Sequence, residues 1–570
     1  MLVFTTHSSG LIGLIWIFLF FQNAFSIHPV TGRTGHGVHP RLEIRELAKD
    51  RDQFNLYLLG LQRFQAMDQN DMLSYYQIAG IHGRPYKEYD GVPGVHSSGG
   101  YCPHVSNMFM PWHRPFLALF EEALLRKVDE IVDQFPAGAT RNRYRSAADK
   151  LRVPFWDWAM NAPQGENVVP RQLTDEFVSV TSPNGDQTIS NPLYSYKFNP
   201  LNTNDMGGYP YTVWQNTLRR PTSRDGNAKS NTQQFVSMMD SNQKSLHDRM
   251  YGLFTRAAPF VEVSTECVGN GCGNDVSHDS FESVHDVIHI ISGGNTGGHM
   301  YLLDFSAFDP VFWLHHANVD RAMALFNFLY PDTYVEPGRQ TQDNFQWSRG
   351  QVKNAWTPLK PFHSNSNGDF WMAKDIKDPS VFGYTYPELT NGATTSSVRS
   401  AINRLYQPQS SSSSRRRSLF PGNSTVSVYT NGTGSDREYM LNVVGEKFAL
   451  GGSYAIYFFL GECDLEDMSS WGDCPGFVGA NGVLAPSGGV TMNGTTVTGL
   501  VPITSALHDL HLGGYLDSLD EDVVEAFLSL RLHWVVVKVR SNSGTSCQKS
   551  LSNTIEGGRR NPHRRSCPGT

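Results

Sequence analysis

The chain has 570 residues, 39% hydrophobic and 12% aromatic, an ordinary globular composition and enough length for one large domain plus a smaller second one. Lys and Arg total 47 against 54 Asp and Glu, and the resulting net charge of −7 argues against nucleic acid or an anionic membrane surface as the main partner and for a small substrate. With 20 histidines, metal ligands are worth seeking.

In chain order, the first predicted element is an apolar run from Leu11 to Phe21, the length of a signal-peptide core and short of the roughly 20 residues that span a bilayer. Ala24 and Ser26 supply small residues for cleavage after Ser26, although no Lys or Arg precedes the run. Residues 1–26 thus read as a signal peptide, which predicts a secreted protein without membrane attachment once cleaved. Residues 27–392 mix helical patterns with long Gly/Pro/Asn-rich loops. The clearest helices, Arg114 to Ile131 and Phe281 to Ile291, repeat apolar residues at three- and four-residue spacing. Residues 393–419 read as a linker: a short amphipathic stretch from Arg399 to Tyr406, five serines from Ser410 to Ser414, then Arg415, Arg416 and Arg417 as a site for a processing protease.

From 420 to 540 the pattern becomes two-residue alternation, in Ser424 to Tyr429, Tyr454 to Leu460, Val490 to Leu500 and His533 to Val539, which predicts a C-terminal β-sandwich. The glycosylation sequons at Asn423, Asn431 and Asn493 all fall in this part and imply surface positions. Residues 541–570 form a polar tail. Of seven cysteines, closeness along the chain suggests Cys267 with Cys272, Cys463 with Cys474 and Cys547 with Cys567, among many possible connectivities. Cys102 is then left over, two residues before His104.

The chemistry lies in the histidines. His285 and His289 are four residues apart, on one face of a helix, and can reach one metal ion. Downstream, Phe308-Asp309-Pro310-Val311-Phe312-Trp313-Leu314-His315-His316 adds a third imidazole, followed by Asp320 and Arg321. Three imidazoles make a neutral, nitrogen-only shell that suits copper or zinc rather than magnesium or calcium. Upstream, His82, His104 and His113 form a second such set, so two metals are implied.

With these residues the chain resembles the type-3 copper family of tyrosinases, catechol oxidases and haemocyanins, and the fungal tyrosinases in particular. The resemblance also covers Phe155-Trp156-Asp157-Trp158, Gly297-Gly298-His299-Met300 and Tyr384-Thr385-Tyr386, so it spans most of residues 40 to 392. It implies a mainly helical catalytic core, a four-helix bundle holding two copper ions, followed by the β-rich domain. On the resemblance the first copper takes His82, His104 and His113, the second takes His285, His289 and His316, and Cys102 is joined to His104 through a thioether. Glu282 matches an acidic residue that positions water beside the second copper. Asp286 stands where strong monophenol hydroxylases carry asparagine, which predicts o-diphenol oxidation in excess of monophenol hydroxylation. Asp309, Asp320, Arg321 and Arg114 are expected to brace the ligands.

The implied activity is oxidation of phenols and o-diphenols to o-quinones by O2, in pigment or secondary-metabolite formation. The resemblance further implies a latent proenzyme whose C-terminal domain shields the site with an aromatic ring; Phe477, after Cys474, is the candidate. Two other functions fit the same six-histidine cage: a haemocyanin-like O2 carrier, and a zinc-loaded enzyme without redox chemistry.

Overall fold

The computed structural model describes residues 27–97, 99–269, 275–408, 437–486 and 494–539, and the backbone of 547–550. The signal segment, the three sequons, Arg415–Arg417, Cys272 and Cys567 lie outside the described residues. Among the described residues, no helix is long and apolar enough to cross a membrane.

Six helices position the core: α1 (Arg51–Gln65), α2 (Tyr75–His82), α3 (Phe109–Gln134), α4 (Thr232–Thr255), α5 (Phe281–Gly293) and α6 (Val311–Leu329). Their starts follow local chemistry. Asp50, Ser74 and Asn231 accept the backbone N–H of Gln53, Gln77 and Gln234, and Ser280 with Ser283 closes a reciprocal box at the head of α5. Every residue of α5 is buried, and so is every residue of α6 except Phe328. A helix buried all round lies at the centre of its domain, and each polar side chain on it must find a partner there.

Helix α7 (Thr395–Tyr406) packs on the core through Val398, Ala401, Ile402 and Tyr406. The Tyr406 hydroxyl donates to Asp157 at 2.6 Å and accepts from Arg321 at 2.9 Å. The packed core therefore continues to Tyr406, past residue 392.

Of the strands expected in the C-terminal part, Tyr454 to Leu460 and His533 to Val539 form within a residue and Val490 to Leu500 forms as Thr496–Pro502, while Ser424 to Tyr429 lies outside the described residues and Met440–Glu446 and Phe477–Val483 are additional. One sheet has the antiparallel order β4 (Phe477–Val483), β3 (Tyr454–Leu460), β6 (Leu532–Lys538), β7 (Cys547–Ser550). The other has the order β2 (Met440–Glu446), β5 (Thr496–Pro502), β1 (Cys267–Val268), so a strand of the catalytic core completes a sheet of the C-terminal domain. Two helices not read from the sequence, α8 (Thr504–Leu512) and α9 (Glu521–Arg531), separate β5 from β6.

Strand β4 crosses α5 closely. A Cβ at Gly482 would lie 2.7 Å from the Asp286 carbonyl oxygen and 2.9 Å from Ile290 Cγ1, so only glycine admits this approach. The C-terminal domain is thereby seated on the helix that carries two candidate ligands.

Candidate metal centre

Four helices and one loop deliver the six histidines. His82 ends α2, His104 lies in the loop before α3, His113 is on the first turns of α3, His285 and His289 are one turn apart on α5, and His316 is on α6. All six are at most 1% exposed. Ring Nδ1 of His82, His113 and His289 donates to the carbonyls of Leu303 (3.1 Å), Phe109 (2.7 Å) and Met300 (2.9 Å). His285 Nδ1 faces Asp286 Oδ1 at 2.9 Å. A carbonyl can only accept, so these contacts fix the tautomer that leaves Nε2 bare.

The bare nitrogens converge. His285 Nε2 and His289 Nε2 lie 3.2 and 3.4 Å from His316 Nε2. His82 Nε2 and His104 Nε2 meet no protein partner, and the ring of His113 stacks on that of His316 at 4.2 Å. Burial, and then the neighbouring imidazoles, hold His82, His285 and His316 well below the usual histidine value; burial, then Lys447 and His289, does the same at His104. His113 and His289 are lowered to about 3, again chiefly by burial. Ring nitrogens of His285, His289, His315 and His316 lie together, His82 and His113 lie together with Cys102, and His104 lies with His285 and Asp286; these buried neutral imidazoles form a cation site whose donor set fits two copper ions. Phe109 and Phe312 wall it, each ring within 5.2 Å of at least two of these histidines.

His315 is also buried, stacked on His285 at 4.8 Å. Its neighbour His316 is the one whose Nε2 meets both α5 histidines. Cys102 is a buried free thiol, pushed well above its usual value by burial, and its Sγ lies 3.4 Å from His113 Nε2.

Two carboxylates flank the imidazoles. Glu282 accepts the Val105 N–H at 2.6 Å, the Thr265 hydroxyl at 2.6 Å and the Glu266 N–H at 3.1 Å, and its Oε1 is 3.3 Å from His104 Nδ1. Asp286, beyond its contact with His285, accepts the Leu484 N–H of the C-terminal domain at 2.8 Å. Burial raises both, Asp286 well above the carboxylate range. Sequence reasoning missed two further charged residues. Glu266 and Lys447, both fully buried, pair at 3.2 Å between the core and the C-terminal domain, and no ligand-like spacing marked either.

The expected bracing residues form buried networks. Asp309 accepts a fork from Arg219 and the Val311 N–H, which fixes the start of α6. Arg321 reaches Asp157, Glu388 and Tyr406. Asp320 accepts from Arg114 Nε (2.7 Å), Tyr384 (2.7 Å) and Tyr386 (2.6 Å). Burial alone would raise Asp320, but Arg114 and Arg41 hold it below the usual carboxylate value. Removing one partner of a buried charge network leaves the others unpaired. Asp320→Ala is therefore expected to cost about 3–5 kcal/mol, read as a lower denaturant midpoint, because it strands Arg114 between α3 and α6.

Phe477, expected over the metals, opens β4 instead. Its ring packs at 5.5 Å on Phe459 and 6.3 Å on Tyr457, within the apolar cluster that joins the C-terminal sheet to the helical core. The Cys463–Cys474 bridge beside it is present, but the loop returns to its sheet, where the Leu460 N–H donates to the Gly476 carbonyl at 2.7 Å. What lies against the site from this domain is Lys447, Gly482, Leu484 and an apolar group of Tyr454, Val483 and Val497 packed on Val105, next to His104.

Residues 72–328 match the common central domain of tyrosinase, and residues 438–553 match the tyrosinase C-terminal domain. The tyrosinase of Podospora anserina is 32% identical over 85% of this chain and 93% of its own length. That of Neurospora crassa is 30% identical over 89% of this chain and 90% of its own. A solved recombinant mushroom tyrosinase superposes with a TM-score of 0.75 at 26% identity, covering 95% of this chain and 97% of that one. A structure holding latent and active mushroom tyrosinase gives 0.75 and 26%, with 94% and 96% covered. Relatives matched along nearly their whole length, in both the helical core and the C-terminal domain, leave one conclusion: this chain belongs to the tyrosinase family.

Proposed function

We propose that the chain is a secreted copper enzyme, held latent by its C-terminal domain, that oxidises phenols and o-diphenols to o-quinones with O2. The observation that carries the chemistry is the set of six buried neutral imidazoles, of which His285, His289 and His316 converge through their ring nitrogens. His82, His104 and His113 hold one copper and His285, His289 and His316 the other. Copper held at both sets supplies one electron from each ion to O2.

The chain's own residues do the rest. Backbone carbonyls of Leu303, Phe109 and Met300 lock three imidazoles in place. Glu282 orients His104 and takes, through water, the proton an incoming phenol gives up. Phe109 and Phe312 offer ring faces to an aromatic substrate and keep bulk water out. Cys102, a buried thiol, forms a thioether with His104 on maturation, an S–C bond that replaces the S–H and a ring C–H and passes two electrons to O2, testable by mass spectrometry as the loss of two hydrogens from the peptide that carries both. The leader ends at Ser26, Asn423, Asn431 and Asn493 are glycosylated, and processing occurs at Arg415–Arg417. The product feeds pigment or secondary-metabolite formation.

Metal analysis with an oxygen-uptake assay on 4-methylcatechol tests the reading. Two coppers per chain and catalytic uptake are expected of the processed protein. Zinc in their place, or O2 bound without turnover, overturns it in favour of the other two uses of the cage.

Asp286→Asn probes the departure beside His285. Asparagine has one acceptor oxygen for two donors, His285 Nδ1 and the Leu484 N–H, so one contact is lost. The expected results are a shift of about threefold to tenfold in the ratio of 4-methylphenol to 4-methylcatechol turnover toward the monophenol, and higher activity of the uncut chain. An unchanged ratio removes residue 286 from control of hydroxylation.

A further inference from the structure

We propose that Glu266 is a cation-recognition residue: in the intact chain it holds the Lys447 ammonium of the C-terminal domain, and in the opened enzyme it receives the ammonium group of a phenolic amine substrate. This rests on the reading that the C-terminal domain shields the site.

Lys447 directly follows β2 and is completely buried, with Nζ 3.2 Å from Glu266 Oε1. A buried ammonium is costly unless carboxylates surround it. Here burial alone would lower its pKa, but Glu266, Asp286 and Glu282 together hold it above the usual lysine value. On the core side, the Glu266 N–H donates to Glu282 Oε2 at 3.1 Å, and Glu282 Oε1 lies 3.3 Å from His104 Nδ1. Lys447, Glu266, Glu282 and His104 thus form an unbroken line from the C-terminal domain to the first imidazole set.

Three features separate this from an ordinary buried ion pair. First, the contact is one-sided: Glu266 takes the Lys447 ammonium through a single oxygen, Oε1, at 3.2 Å. Two further cations near these carboxylates are held elsewhere, Lys353 by Ser106 and Gln340 and Arg249 by Asp279. Second, Glu266 Oε2 is buried and meets no hydrogen-bond donor, so the carboxylate has acceptor capacity left. Third, the cover is removable: the Glu266 carbonyl accepts from Thr498 of β5, and β1 after it pairs with β5, so loss of the domain exposes Glu266 together with the imidazoles. Lys447 then departs, and carboxylates left in a poorly hydrated cleft select a replacement cation. A catechol whose ring sits at the imidazoles and whose side chain ends in an ammonium supplies it. A side-chain carboxylate meets like charge there.

The test uses copper-loaded full chain opened by limited trypsin treatment, with dopamine, uncharged 4-methylcatechol and 3,4-dihydroxyphenylpropionate as probes. Wild type is expected to rank them in that order by kcat/KM. Glu266→Gln should lower the ratio of dopamine to 4-methylcatechol by about 10- to 100-fold, the loss expected for a hydrogen bond to a charged group, through KM rather than kcat. Glu266→Asp should keep the preference. A ratio unchanged in Glu266→Gln overturns the proposal. If that variant does not fold, a wild-type ranking indifferent to side-chain charge overturns it as well. Failure of the shielding reading shows separately, as equal 4-methylcatechol rates before and after the cut, and it overturns the proposal too, because Lys447 then never leaves Glu266.

Discussion

Replacing His285 or His316 with Ala should leave one copper per chain and abolish oxidation of 4-methylcatechol. Nε2 of His316 lies 3.2 Å from that of His285 and 3.4 Å from that of His289, so each substitution deletes one of three converging donors. Outer-shell changes at metal sites already cost about 10- to 100-fold in affinity, and a ligand lost from a three-imidazole set costs more. The chemistry then fails for a second reason, because one copper cannot supply both electrons to O2. The control is His315→Gln, which should retain both coppers: His315 stacks on His285, but its neighbour's Nε2 meets both α5 histidines. Copper content and oxygen uptake decide. Full activity with one copper in either alanine variant would end the binuclear reading, and loss of copper in His315→Gln would move the ligand assignment from His316 to His315.

The metal set was legible because its signals are local. His285 and His289 sit one helical turn apart, and α5 runs from Phe281 to Gly293, close to the expected Phe281 to Ile291. The helix expected from Arg114 starts at Phe109 and so takes in His113, whose Nδ1 bonds the carbonyl one turn back. His82 and His104 have no such spacing; they read as a second three-histidine set with His113, and the family resemblance then assigns them to the first copper. Strand β3 matches the expected Tyr454 to Leu460 to the residue, although the run is continuously apolar and buried on both faces rather than alternating.

What escaped has physical reasons. Helix α4, 24 residues long, carries Phe235, Met238, Met239, Asn242, Leu246, Met250 and Leu253 inward at helical spacing, but its many Gln, Asn, Ser and Asp residues dilute the pattern. Helices α8 and α9 lie in a segment whose flanking strands suggested β structure throughout. Phe477 was expected to project from a loop pinned by Cys463 and Cys474, yet an apolar ring that begins a strand gains more by packing on Tyr457 and Phe459. The Lys447–Glu266 pair joins residues 181 positions apart in two domains, which no local pattern encodes.

Cutting the chain between Pro408 and Arg437, at Arg415–Arg417, should raise the 4-methylcatechol rate per mole of copper by about 10- to 100-fold, and the gain should grow on dilution. The site is covered in the intact chain by contacts the C-terminal domain makes on the helix and loop that hold His285, His289 and His104. Leu484 donates to Asp286 at 2.8 Å, Lys447 is buried on Glu266 at 3.2 Å, and Val483, Val497 and Tyr454 pack on Val105. β5 adds a short pairing, Thr496 with Val268 and Val497 with Cys267. None of these contacts is covalent, and the tether strengthens them by holding the domain at an effective concentration in the millimolar range. Once the tether is cut, the complex obeys mass action, and its dissociated fraction rises as the sample is diluted. A plug that merely loosened in place would respond to the cut but not to dilution. A domain that only aids folding would respond to neither, so equal rates before and after limited trypsin treatment, at all dilutions, would remove the shielding role and leave the C-terminal domain as a structural support for α5.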